Sequence, residues 1–190
     1  MNFENDDIEH IADLVQQDAV ILYPTDTIWG LGCNALSEKA IQKIISIKGR
    51  PPEKGFVVLV ESLEMLNNYV EDVNPKIETL LVHHTRPITV IYPQPKGLSP
   101  LACAPDGSVA VRIVTDEFCK ELIWACGLPL ISTSANISGE PFPANFGEIS
   151  SEILSAADYV VKYRQNDRSK AEPSTIVKVT HKKELEFIRK

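Results

Sequence analysis

The chain has 190 residues, 44% apolar and 24% charged, the balance of one ordinary globular domain able to bury a substantial core. A formal charge of −7 argues against a surface that coats itself with nucleic acid, and no apolar run approaches the ~20 residues that span a bilayer. The acidic, polar stretch 1–9 lacks the basic-then-apolar order of a signal peptide, so a cytoplasmic location with no membrane partner is expected.

Residues 6–17 predict a helix with Ile8, Ile11, Leu14 and Val15 on one face. A short apolar strand over 19–23 ends at Pro24. Ser37 caps a helix to Lys48, which Gly49 stops and Pro51-Pro52 keeps from restarting. A strand follows at 56–60, then helices near 63–69 and over 75–82, the second capped by Asn74. Strands are expected at 88–92 and 109–114, a helix over 116–126 ending at Gly127, and a strand at 130–133. Asn145 with Glu148 forms a capping box for a helix to about residue 155, and strands at 159–163, 175–179 and 185–188 close the chain. Helices and strands mix without strict alternation, which implies a layered α/β domain on a mixed sheet over residues 1–190.

The cysteines Cys33, Cys103, Cys119 and Cys126 make no Cys-x-x-Cys pair and the histidines no His-Glu-x-x-His, so structural thiols and no protein-held metal are expected. The residues with chemistry to offer lie in five segments.

Tyr23 to Ala35 reads as a loop leaving a buried strand, with Thr25, Asp26, Thr27, Gly30 and Gly32 able to bring hydroxyls and amides to a ligand. A strand-to-helix connection satisfying its own backbone explains it equally well. The Gly30-x-Gly32-x-x-Ala35 spacing suits a dinucleotide loop poorly, because no helix opens directly from the glycines. Lys48-Gly49-Arg50, stiffened by Pro51-Pro52 and followed by Lys54, fits anion binding better than a solvated helix end. With Lys39 and Lys43 it concentrates positive charge in an acidic chain, which suits a small phosphorylated substrate.

Ser132-Thr133-Ser134-Ala135-Asn136 offers neutral donors and acceptors, although on residue types alone a polar turn accounts for it better. Ser108 to Arg112 and Pro173 to Val177 carry weaker signals.

In this order the five segments resemble the YrdC-like threonylcarbamoyl-AMP synthases, a likeness running from about Ala19 to Val179. The Pro-Thr-(Asp/Glu)-Thr-x-(Tyr/Trp)-Gly-Leu loop of that family is matched by Pro24 to Leu31. The Lys-x-Arg pair is matched by Lys48 and Arg50, the Ser-x-Asn pair by Ser134 and Asn136, and the Val-Arg and Ser-Thr-x-Val elements at Arg112 and Ser174. The resemblance implies a twisted open sheet with a large concave cleft. It also implies synthesis of threonylcarbamoyl-AMP and pyrophosphate from L-threonine, bicarbonate and ATP, for transfer to adenosine 37 of tRNA.

Carried over by position, Thr25, Thr27, Arg112, Ser132 and Ser174 hold threonine. Lys48, Arg50, Lys54, Ser108, Ser134 and Asn136 hold ATP, with Lys48, Arg50, Ser134 and Asn136 catalytic. Mg²⁺ arrives with ATP, and a downstream threonylcarbamoyl transferase complex is the implied partner, with direct tRNA contact left open. The chain departs from the family at 113–116, at His83-His84-Thr85-Arg86-Pro87, and at Phe142, where a polar residue is frequent. The competing readings are an inactive RNA- or ribosome-binding paralogue, which typically lacks the two pairs, and a dinucleotide-dependent oxidoreductase.

Overall fold

A computed structural model describes residues 3, 6–51, 55–71, 73, 75–83, 86–169, 172–180 and 184–189. The expected sites Lys54, Asn74, His84 and Thr85 lie outside these residues. In chain order the elements are α1 (Ile8–Gln16), β1 (Ile21–Tyr23), β2 (Gly30–Asn34), α2 (Glu38–Lys48), β3 (Val57–Val60), α3 (Leu63–Tyr69), α4 (Pro75–His83) and β4 (Ile88–Tyr92). They continue as β5 (Val109–Ile113), α5 (Glu117–Cys126), β6 (Leu130–Ser134), α6 (Ser151–Ala156), β7 (Tyr159–Val160), β8 (Thr175–Val179) and β9 (Leu185–Arg189).

The helix ends follow local chemistry. Asp7, Ser37, Ser62 and Asp116 each accept a first-turn amide at α1, α2, α3 and α5. Gly49 and Gly127, at φ of 55° and 64°, take the left-handed conformation that closes α2 and α5. The capping box at Asn145 caps only a 3-10 turn, Phe146–Glu148, rather than the expected helix. Ile149 is extended and buried in the core, and Ser150 then caps α6 as a new start. Strand β7 stops at Val160 because Lys162 and Tyr163 turn their amides to the Asp6 carboxylate, at 2.8 and 2.7 Å.

The strands form one mixed sheet of order β7-β1-β2-β6-β3-β5-β4-β8-β9. Neighbours are parallel at β7–β1, β3–β5 and β4–β8, and antiparallel elsewhere. Alternation along each strand sends residues to two cores. Val20, Leu22, Val58, Val60 and Ile131 face the core shared with α2, α3, α4 and α6. Ile21, Tyr23, Leu59 and Leu130 face the other, covered by α1 and α5. No helix among the described residues is long and apolar enough to cross a membrane.

Strand β2 was not expected from the sequence, where 23–35 reads as a loop. It pairs with β1 on one side and β6 on the other, and its glycines are what allow this. A Cβ on Gly32 would meet the Tyr23 ring at 2.5 Å and the Ile131 carbonyl at 2.8 Å. The glycine spacing therefore serves strand packing rather than a dinucleotide. Gly32→Ala is expected to destabilise the fold by about 1–3 kcal/mol through overpacking. A thermal melt within a degree of wild type would refute this account.

Candidate active site

The α1/α5 face of the sheet is covered only in part. Leu130 lies under the helices, while Ser132 and Ser134, two and four residues further along β6, share its side of the strand and emerge as open floor. That floor is a cleft of about 230 Å³ lined by Thr27, Arg50, Arg112, Ser132, Ser134 and Ser174, among others. Of the polar residues buried among those described, all but Thr89 and Ser99 were nominated from the sequence. Four of these buried polar residues, Thr27, Arg112, Ser132 and Ser174, line the cleft, and polar side chains are seldom buried without a task.

Arg112 is the central cation, 5% exposed, on β5. Its Nη1 donates to Thr27 Oγ1 at 3.1 Å, and its Nη2 lies 3.2 Å from Asp26 Oδ1, whose carboxylate is also 5% exposed. That ion pair is too bent for a hydrogen bond, so Asp26 Oδ1 has no hydrogen-bond partner. Arg112 Nε is likewise buried without an acceptor. A buried guanidinium with an unused donor beside a cleft is suited to receive an anionic oxygen.

The two threonines divide their work. Thr25 Oγ1 donates to the Ile28 carbonyl at 2.8 Å and accepts the Thr27 amide at 3.0 Å, bracing the turn. Thr27 lines the cleft, and its hydroxyl, 2.9 Å from Thr25 Oγ1, is aimed by Thr25 and Arg112. On the far wall Ser174 Oγ meets Thr89 Oγ1 at 2.7 Å.

The second cation in the cleft is Arg50. Its guanidinium carbon sits 4.5 Å from the centre of the Phe56 ring, and Nη2 donates to the Gly55 carbonyl. Burial lowers its pKa from the ordinary arginine value. Held on two sides, Arg50 has lost much of the rotamer freedom that gripping an anion would otherwise remove.

Lys48 does not line the cleft. It is 2% exposed, and its Nζ donates to the backbone carbonyls of Ser134 and Asn136, both at 2.5 Å. Desolvation, then the neighbouring Arg50, brings its pKa down to about 8. The Ser138 amide donates to the Lys48 carbonyl at 2.9 Å, and Asn136 Nδ2 donates to the carbonyls of Ile137 and Glu140 at 3.1 and 2.7 Å. The Lys-x-Arg and Ser-x-Asn pairs thus lie together, and two of the four members, Lys48 and Asn136, brace the loop that follows Ser134.

Some sequence-based expectations change. Lys39 pairs with Asp18 at 3.2 Å and Lys43 with Asp158 at 3.6 Å, beside a separate, shallower depression, so the basic stretch does not act as one site. Ser108 is buried and bonded to Asp106 at 2.6 Å without lining the cleft. Arg189, not anticipated, lines the cleft from β9 and donates to the Ser174 carbonyl through Nε and Nη2, at 3.1 and 2.8 Å. Burial and the charge of Arg112 lower its pKa. Its one sequence signal is its place as a lone arginine just past the strand expected at 185–188. Three of the four cysteines are buried and all are free, and burial raises Cys126 to about 12, consistent with structural thiols.

The family model described as Telomere recombination (Sua5, YciO, YrdC) matches residues 13–190. A threonylcarbamoyl-AMP synthase of Idiomarina loihiensis is 33% identical over 161 residues, 83% of this chain and 86% of that protein. The crystal structure of P. abyssi Sua5 complexed with L-threonine superposes with a TM-score of 0.81 at 25% identity. It covers 92% of this chain, which spans about half (51%) of that protein. E. coli YciO shares the fold, with a TM-score of 0.82 at 21% identity over 96% of this chain and 88% of its own. The chain belongs to the Sua5/YciO/YrdC family.

Proposed function

We propose that this protein is a threonylcarbamoyl-AMP synthase, a nucleotidyltransferase that joins L-threonine, bicarbonate and ATP and releases pyrophosphate. The observation that carries this reading is one cleft lined by both the unsatisfied Arg112 and the clamped Arg50 and Ser134. The relatives named threonylcarbamoyl-AMP synthase and the threonine complex of P. abyssi Sua5 support it.

The Arg112 guanidinium receives the threonine carboxylate, with Thr27, Ser132 and Ser174 around the amino acid. Threonine's amine takes up bicarbonate with loss of water to give a carbamate. A carbamate oxygen then attacks the α-phosphorus of ATP, the bond to the bridging oxygen of the β-phosphate breaks, and pyrophosphate leaves. Charge on the transferring group is met by Arg50 and Ser134, with Arg189 nearby. Lys48 and Asn136 hold that loop in place, and Thr25 braces the turn that presents Thr27. Magnesium enters as part of the ATP substrate. The product is a mixed anhydride, competent to acylate tRNA in a separate transferase complex.

Pyrophosphate release from ATP should depend on both threonine and bicarbonate, with the mixed anhydride visible by mass spectrometry. Release indifferent to threonine would refute the assignment.

A further inference from the structure

We propose that Phe142 is the platform on which the nucleobase of ATP stacks, an inference resting on the reading of the cleft as a nucleotide site. The cleft encloses about 230 Å³, below the ~300 Å³ at which pockets begin to bury drug-sized ligands. Threonine, carbamate and phosphates fill the floor, where the arginines are, so the base must lie at the mouth. A flat apolar base left there in water gains by covering an aromatic ring.

The cleft lining holds three aromatic rings, and two are already engaged. Phe56 lies under Arg50, and Trp29 is buried against Phe146 with ring centres 4.9 Å apart. Phe142 is 45% exposed and, among the described large apolar residues that are exposed, is the one that lines this cleft. Water-exposed phenylalanine at a rim is costly to leave uncovered, which favours an occupant with an apolar face.

Its placement is also prepared. Pro141 precedes it and Pro143 follows, so the backbone on both sides is restricted, and Pro143 is buried as an anchor. The Glu140 carbonyl is gripped by Asn136 Nδ2 at 2.7 Å, and the Asn136 carbonyl is gripped by Lys48. The loop that presents Ser134 to the phosphates therefore also presents Phe142. A ring fixed before the ligand arrives gives up little freedom on binding.

The test measures binding by calorimetry, which needs no turnover, on wild type, Phe142→Ala and Phe142→Trp, with MgATP and with inorganic tripolyphosphate, which has no base. Phe142→Ala should weaken ATP by about tenfold or more, the usual cost of removing a stacking ring, and leave tripolyphosphate unchanged. Phe142→Trp should keep wild-type ATP affinity. Equal ATP binding by wild type and Phe142→Ala overturns the proposal, as does a loss shared equally by tripolyphosphate, which would mean the loop had moved. A tryptophan variant as weak as alanine overturns it too. Wild-type protein that binds neither ligand refutes the nucleotide site itself, and the platform with it.

Discussion

Arg112→Lys should remain folded yet lose threonine affinity by about a hundredfold, because lysine keeps the charge beside Asp26 but not the fork that grips a carboxylate. In the native cleft the three guanidinium nitrogens are divided. Nη1 serves Thr27, Nη2 faces Asp26, and Nε is unused. An ammonium at the end of a flexible stem can replace one of these relations but not all three. Arg112→Ala should be worse in two separable ways. Turnover should fall by about a thousandfold or more, in line with truncating one partner of a desolvated charge pair. Asp26 would also be left buried and uncompensated, costing about 3–5 kcal/mol of stability. The double variant Asp26→Asn with Arg112→Gln removes the stranded charge, so its melting temperature should recover while threonine binding stays lost. Threonine titrations in the pyrophosphate assay, paired with thermal melts, distinguish these outcomes. An unchanged threonine KM in Arg112→Ala would remove Arg112 from the substrate site.

The second large effect is expected at Lys48, although it does not line the cleft. Lys48→Ala strips a donor from two backbone carbonyls in the 134–136 segment, and an unsatisfied buried group costs about 1–3 kcal/mol. The 2% exposure of Lys48 argues that stability and turnover fall together. Arg50, which reaches the cleft, is the member of that pair whose truncation should spare the fold. We expect Lys48→Ala to lower turnover about a hundredfold, as displacement of a positioning element does. Hydrogen exchange should quicken across residues 134–140. Normal exchange there with lost activity would mean that Lys48 acts on substrate directly.

The lysine also predicts a pH dependence. Its pKa is about 8 in the fold, against about 10.4 for an unfolded lysine. Between those values the unfolded chain holds a proton that the native chain has shed. Stability from this group is therefore fully present above the unfolded value and is lost as pH falls towards 8. In denaturant unfolding from pH 7 to 10, wild type should gain on Lys48→Met as pH rises through that window. Parallel curves would contradict the shift.

How far the molecule could be read in advance depended on the range of the forces involved. Helix limits are set within a turn by side chains and backbone close in sequence, so Ser37, Asp116, Gly49 and Gly127 could be read from their neighbours. Arg112 and Ser174 were nominated through their motifs, and the structure buries both along one cleft. Strand β2 could not be read, since Gly30 and Gly32 look like loop residues until the Tyr23 ring and β6 are packed against them.

The amino-acid order by itself determined most of the helices and the mixed α/β class, because caps and periodicity are local quantities, and it nominated candidate site residues through their motifs. Only the tertiary structure decided how those residues divide the work. It turned Lys48 inward as a brace, drew Lys39 and Lys43 away to Asp18 and Asp158, and brought Arg189 from the last strand into the cleft. Those outcomes rest on contacts between segments far apart in the chain. A charged side chain's partner is whatever the fold places within a few ångströms of it, and that cannot be known from its neighbours in sequence.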